Sequence, residues 1–135
     1  MLVLLLPNHL FDILYIISEQ YKQIYDLLGQ TDFIVTDAGL EISALHASAE
    51  SKVVEDLAWY LKNKTNTITI FIERDEEKVP YEAEGRNESE AESRIFGIKL
   101  EKYMNVNNSK YIKVKGSEQA VEVAVKLIEE YNANK

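Results

Sequence analysis

Asp37 closes the segment Asp32-Phe33-Ile34-Val35-Thr36-Asp37, in which four residues of buried-strand type lead to a carboxylate. Open α/β sheets place their ligand crevice at the carboxyl ends of strands. An aspartate there can hold Mg²⁺ indirectly beside a nucleotide phosphate. A strand-ending aspartate can equally cap the next turn, so Asp37 carries both readings. Holding β- and γ-phosphates also takes a nest of backbone N–H groups and a lysine. The pattern that supplies them, G-x-x-x-x-G-K-[ST], occurs nowhere in the chain. Arg74 and Arg86 bracket a second candidate, the stretch 73–86, which holds nine charged residues. Arginines on a mobile loop can neutralise charge developing on a transferring phosphoryl group. They can also simply balance Glu73, Asp75, Glu76, Glu77, Glu82 and Glu84 in solvent, where such pairs contribute about 0–1 kcal/mol. His9 and His46 are too few and too isolated for a metal site.

The elements that must position these groups follow from periodicity. Leu10, Leu14, Ile17, Tyr21, Ile24 and Leu28 recur at the spacing of one helix face. With Asn8 as N-cap and Gly29 as stop, they predict a helix over 9–28. Residues 32–37 read as a strand buried on both faces, and 39–49 as a loop and short helix. Ser51 caps a helix carrying Val54, Leu57, Ala58 and Leu61. Residues 67–72 read as a strand rich in β-branched residues. Segment 73–86 reads as a surface loop. Asn87 with Glu90 opens a helix to about Met104, buried through Ala91, Ile95 and Ile98. Residues 111–114 form another strand. Gly116-Ser117 starts a last helix with Val121, Ala124, Val125 and Ile128 facing inward. Met1–Leu6 reads as a short strand. Strands alternating with helices imply a mainly parallel sheet of three or four strands flanked by helices in three layers, as one α/β domain over 1–135.

Bulk properties bound the function. The chain has 135 residues, 46% hydrophobic, no cysteine and a net charge of −8, with a pI near 4.8. It is long enough to bury a core, and disulfides and thiolate metal sites are excluded. The acidic balance disfavours nucleic acid as a partner. The apolar start has no basic lead and is stopped by Pro7-Asn8, unlike a signal peptide. No run approaches the ~20 apolar residues of a membrane span, so a cytoplasmic protein with no membrane partner is expected. No G-x-G-x-x-G supports a dinucleotide fold. The stretch Tyr111 to Glu130 lacks the GxxG loop of a KH module.

Taken in order, Ile16-Ile17-Ser18-Glu19-Gln20, then Leu27 to Asp37, then Phe71-Ile72-Glu73-Arg74, then Gly85-Arg86-Asn87-Glu88-Ser89-Glu90-Ala91-Glu92 form a pattern. It resembles the phage- and bacterium-associated P-loop proteins of the nucleotide-kinase-like AAA group. In that group an "AEQ"-like helix segment precedes a strand "D-x-I-I-T-D-S-P-L", a later strand ends near an arginine, and a charged loop carries "G-R-x-x-x-E-x-E". The likeness runs from about Ile13 to Tyr131. It implies a P-loop NTPase-like core without Walker A, with Asp37 as the Walker B carboxylate near Mg²⁺ and ATP. It also implies Glu19 and Gln20 on the acceptor-nucleotide side, Arg86 as lid clamp and Arg74 at the lid entrance. As plain sequence, Glu19 and Gln20 are polar positions of an amphipathic helix. The chain departs from the family in reading Asp37-Ala38-Gly39-Leu40 where the family has "D-S-P-L". It also has only nine residues where the first strand, P-loop and following helix should stand. Either Met1–Leu6 replaces that strand, or the flanking strands pair directly and Met1–Leu6 packs elsewhere. The expected function is a truncated or degenerate nucleotide-kinase-like phosphotransferase without ATPase activity of its own. It would act on a nucleotide or nucleoside once a P-loop chain complements it. The competing expectation is a non-enzymatic interaction or small-ligand-binding module, with homo-oligomers covering exposed sheet edges.

Overall fold

The computed structural model describes residues 10–74 and 89–134, apart from the Ser117 side chain. Five helices and two strands follow one another: α1 (Leu10–Leu27), α2 (Leu40–Ser48), α3 (Lys52–Asn63), β1 (Thr69–Glu73), α4 (Glu90–Val106), β2 (Tyr111–Lys115) and α5 (Gly116–Ala133). The class is α/β with helix predominating. The chain divides into two compact units, one up to Thr67 and one from Ile68.

The first unit is helical. Of the 10/14/17/21/24 stripe of α1 only Ile17 is fully buried, at 1% exposed; Leu10, Tyr21 and Ile24 are half-buried and Leu14 stays exposed at the edge of a groove. Gly29 ends it at φ +80°, in the left-handed region that a glycine enters without steric cost. α2 has no amphipathic period because it is buried nearly all round: Leu40, Glu41, Ser43, Ala44, Leu45 and Ala47 are all inside. Its alanines let α1 and α3 approach closely, which is how nine residues come to serve as a core. Ser51 caps α3 by accepting from the Val54 N–H, as its position before the apolar run predicts. Val54 and Ala58 then bury.

The second unit is β–α–β–α. β1 and β2 pair in parallel, Thr69 beside Tyr111 through Glu73 beside Lys115. α4 lies between them in sequence, and α5 packs on both strands. The core is Leu100, Met104, Val114 and Ala120. α4 opens on a full capping box, with Ser89 accepting from the Glu92 N–H and Glu92 accepting from the Ser89 N–H.

Several expectations are corrected. Residues 32–37 are not a strand. Among the described residues this region holds only an isolated bridge, Leu28 with Thr31, and Val35 is 84% exposed. Among the described residues the sheet has two strands, where three or four were expected. Ala91, Ile95 and Ile98 of α4, and Val121 and Val125 of α5, expected to face inward, are exposed among the described residues. The α4 cap is Ser89, two residues beyond the predicted Asn87. The predicted strand Met1–Leu6, the Asn8 cap and most of the 73–86 loop lie outside the described residues.

Candidate functional site

Two concavities open on the first unit. The larger runs along α1 against α3, encloses about 580 Å³ and is lined mainly by Phe11, Tyr15, Ser18, Tyr25, Leu57 and Leu61. Its wall is a second stripe on α1, offset by one residue from the buried one: Phe11, Tyr15, Ser18, Lys22 and Tyr25. The spacing alternates four and three residues, the period of a seam between paired helices. Phe11 is 73% and Tyr25 64% exposed. Three aromatic rings alternate with Ser18 and Lys22 on this stripe, and among the described residues all three stay more than half exposed. Polar groups in the groove already have partners. The Ser18 hydroxyl donates to the Tyr15 carbonyl at 2.9 Å. The Lys22 ammonium is bonded to the Asp26 carboxylate one turn on, which holds its pKa above the usual lysine value. The Tyr21 and Tyr25 rings meet at 6.2 Å.

The smaller concavity, about 210 Å³, lies between α1 and the extended segment before α2. Gln20, Gln23, Ile34, Thr36 and Asp37 line it, with Leu27 and Ile24 at its floor. Two predicted site residues therefore meet here: Gln20 and Asp37. The Gln20 amide oxygen accepts from the Ser43 hydroxyl at 3.1 Å, which fixes its head group against α2. Asp37 sits in a turn locked by Thr36, whose hydroxyl donates to the Ala38 carbonyl at 2.8 Å. Among the described residues that line the cleft the one charged group is the Asp37 carboxylate.

The other predicted residues are placed as follows. Glu19 is exposed on α1 outside the cleft lining. Arg74 follows β1 in the second unit, half-buried. Arg86 lies outside the described residues. Among the described residues no three His, Asp or Glu side chains gather as metal ligands; Asp37 would hold Mg²⁺ only through water and phosphate. His46 is on the exposed side of α2 rather than in its packing, and Trp59 is half-buried.

The second unit carries one polar cluster. The Tyr111 hydroxyl lies 2.9 Å from Asn105 Oδ1 and 3.2 Å from Glu101 Oε1. Lys113 Nζ donates to Glu101 at 3.1 Å and sits 3.6 Å from Glu73. The bond to Glu101 raises the Lys113 pKa. A lysine held this way stays charged at neutral pH, and its bond to Glu101 ties α4 to the sheet.

Sequence reasoning missed the α1–α3 groove. The signal was present: the 11/15/18/22/25 stripe is as regular as the 10/14/17/21/24 stripe beside it, and one helix with two apolar stripes needs two partners. Comparison with family models, with curated proteins and with solved structures finds no match for this chain. No helix among the described residues is long and apolar enough to cross a membrane.

Proposed function

We propose that this chain works by association rather than by catalysis of its own, as an incomplete nucleotide-kinase-like unit whose α1–α3 groove receives a partner helix. The observation that carries the reading is the groove itself: about 580 Å³, aromatic and aliphatic, with Phe11, Tyr15 and Tyr25 more than half exposed among the described residues. Amphipathic helices laid into grooves of this kind bind through anchors at i, i+3, i+4 and i+7, and tyrosine-rich surfaces are the common composition of such contacts. The environment-sensitive dye 1-anilinonaphthalene-8-sulfonate tests the groove directly. Dilute protein is expected to bind it saturably, and Leu57→Glu to weaken that binding at least about tenfold, the equivalent of one lost anchor, with unchanged far-ultraviolet circular dichroism. A monomeric chain that leaves the dye unbound overturns the reading.

A second reading rests on the meeting of Gln20 and Asp37 in one cleft. Completed by a P-loop chain, the three-layer core implied by the family resemblance would transfer phosphoryl groups from ATP to a nucleotide or nucleoside. Asp37 would then stand near Mg²⁺, and Arg86 would close over the phosphates. The second chain would add the P-loop lysine and backbone N–H groups that hold the β- and γ-phosphates. Calorimetry with Mg-ATP and nucleoside monophosphates is expected to show no heat for the chain alone, and purified protein no ATP hydrolysis. Turnover by the isolated chain that Asp37→Ala abolishes would contradict this.

A further inference from the structure

We infer that the partner helix is α1 of a second copy of this chain, lying antiparallel in the groove with a two-fold axis passing through Ser18. This rests on the groove reading above and gives its occupant. The argument is the order of the residues of α1 that line the groove, Leu14 and Tyr21 among them. Phe11 and Tyr25 lie equally far from Ser18 on either side. So do Tyr15 and Tyr21, and so do Leu14 and Lys22. An antiparallel copy therefore sets Phe11 against Tyr25 of the second copy, twice. It sets Tyr15 against Tyr21, ring on ring. Leu14 meets the aliphatic stem of Lys22, whose ammonium can reach the neighbouring tyrosine face. A parallel copy would instead stack Lys22 on Lys22 and leave like charges together, which is unfavourable.

Ser18 suits the crossing point on two counts. It is the smallest side chain of the seam, so the backbones can close to an interaxial distance of about 8–9 Å. Its hydroxyl already donates to the Tyr15 carbonyl, so burying it strands no donor. Lys22 brings its own counter-charge in Asp26, so the interface gains no unpaired ion. Leu57 and Leu61 of α3 border the groove and would flank the visiting helix. The symmetry is that of an isologous dimer, in which one patch serves both sides.

The chain contains no cysteine, which makes site-directed cross-linking clean. With α-carbons on a radius of about 2.3 Å, facing positions on helices ~9 Å apart sit about 4–5 Å from each other, within disulfide range. Full-length Ser18→Cys is expected to form a disulfide-linked dimer under mild oxidation, and Gln23→Cys, on the opposite cleft of the same helix, is not. Sedimentation of the unmodified chain is expected to show a concentration-dependent dimer that displaces the dye, and Tyr15→Glu to raise its dissociation constant at least about tenfold. A dimer in which Ser18→Cys links no better than Gln23→Cys overturns the inference. A monomer at all concentrations that still binds the dye overturns it and leaves the groove reading standing. A monomer that binds no dye overturns both.

Discussion

Glu41 and Lys62 meet at 3.4 Å with both side chains almost out of water, whereas Lys113 reaches Glu101 at 2.9 Å and stays two-fifths exposed. The first pair joins α2 to α3 inside the helical unit; the second joins α4 to β2 on the rim of the other. The shorter contact is the weaker support. Removing one partner of the buried pair leaves an ion with neither water nor counter-charge, while solvent screens the exposed one. Geometry alone would rank them the other way. Gly39 belongs to the buried arrangement, since a Cβ at that position would come 2.4 Å from Glu41 Oε2.

Three measurements would break or sharpen that contrast. Glu41→Ala should have the largest effect, about 3–5 kcal/mol off the helical unit, read from its denaturant midpoint. Replacing both partners together, Glu41→Leu with Lys62→Met, should restore most of that loss; a double variant as unstable as the single would show that the pair itself, rather than the orphaned charge, holds α2 in place. Met104→Ala comes next. It removes the largest fully buried side chain of the second unit and should cost about 2–4 kcal/mol. Hydrogen exchange should show the loss in the amides of β1, β2 and α5. The smallest effect is pH-dependent. The Glu101 carboxylate raises the Lys113 pKa above 10.5, so the folded state binds that proton more tightly than the unfolded one. Its contribution is complete below about pH 10.5 and fades as pH rises through the raised value. Glu101→Gln should therefore flatten the alkaline edge of the stability profile while barely moving the midpoint near neutrality; an unchanged alkaline edge would mean that the pair carries no linkage.

Much of this architecture is legible in the residues. Ser51 before Val54 fixes the start of α3. The stripe from Leu10 to Ile24 fixes the buried side of α1. The β-branched run Thr69-Ile70-Phe71-Ile72 and the segment Tyr111-Ile112-Lys113-Val114 give both strands. What stays hidden depends on neighbours rather than on local pattern. Phe33-Ile34-Val35-Thr36 has strand composition but lies outside the two strands of the described residues. Ile95, Ile98, Val121 and Val125 have core composition but are exposed among the described residues. The capping box is written twice in Asn87-Glu88-Ser89-Glu90-Ala91-Glu92, once from Asn87 to Glu90 and once from Ser89 to Glu92; the second is the one that caps α4. α2 announces itself through no period at all, because a helix enclosed by its neighbours has no polar side to display. At the candidate site, Gln20 and Asp37 stand out separately in the sequence, and nothing in their spacing says that they line one cleft. The aromatic groove is hidden because Ser18 and Lys22 interrupt its rings along α1.

The ammonium of Lys62 stands 5.9 Å from the centre of the Trp59 ring, and Trp59 is the single tryptophan of the chain. Indole emission responds to a nearby charge. Whatever loosens the lysine from its carboxylate thus alters the colour of the protein's own fluorescence, giving a label-free optical gauge of the helical half.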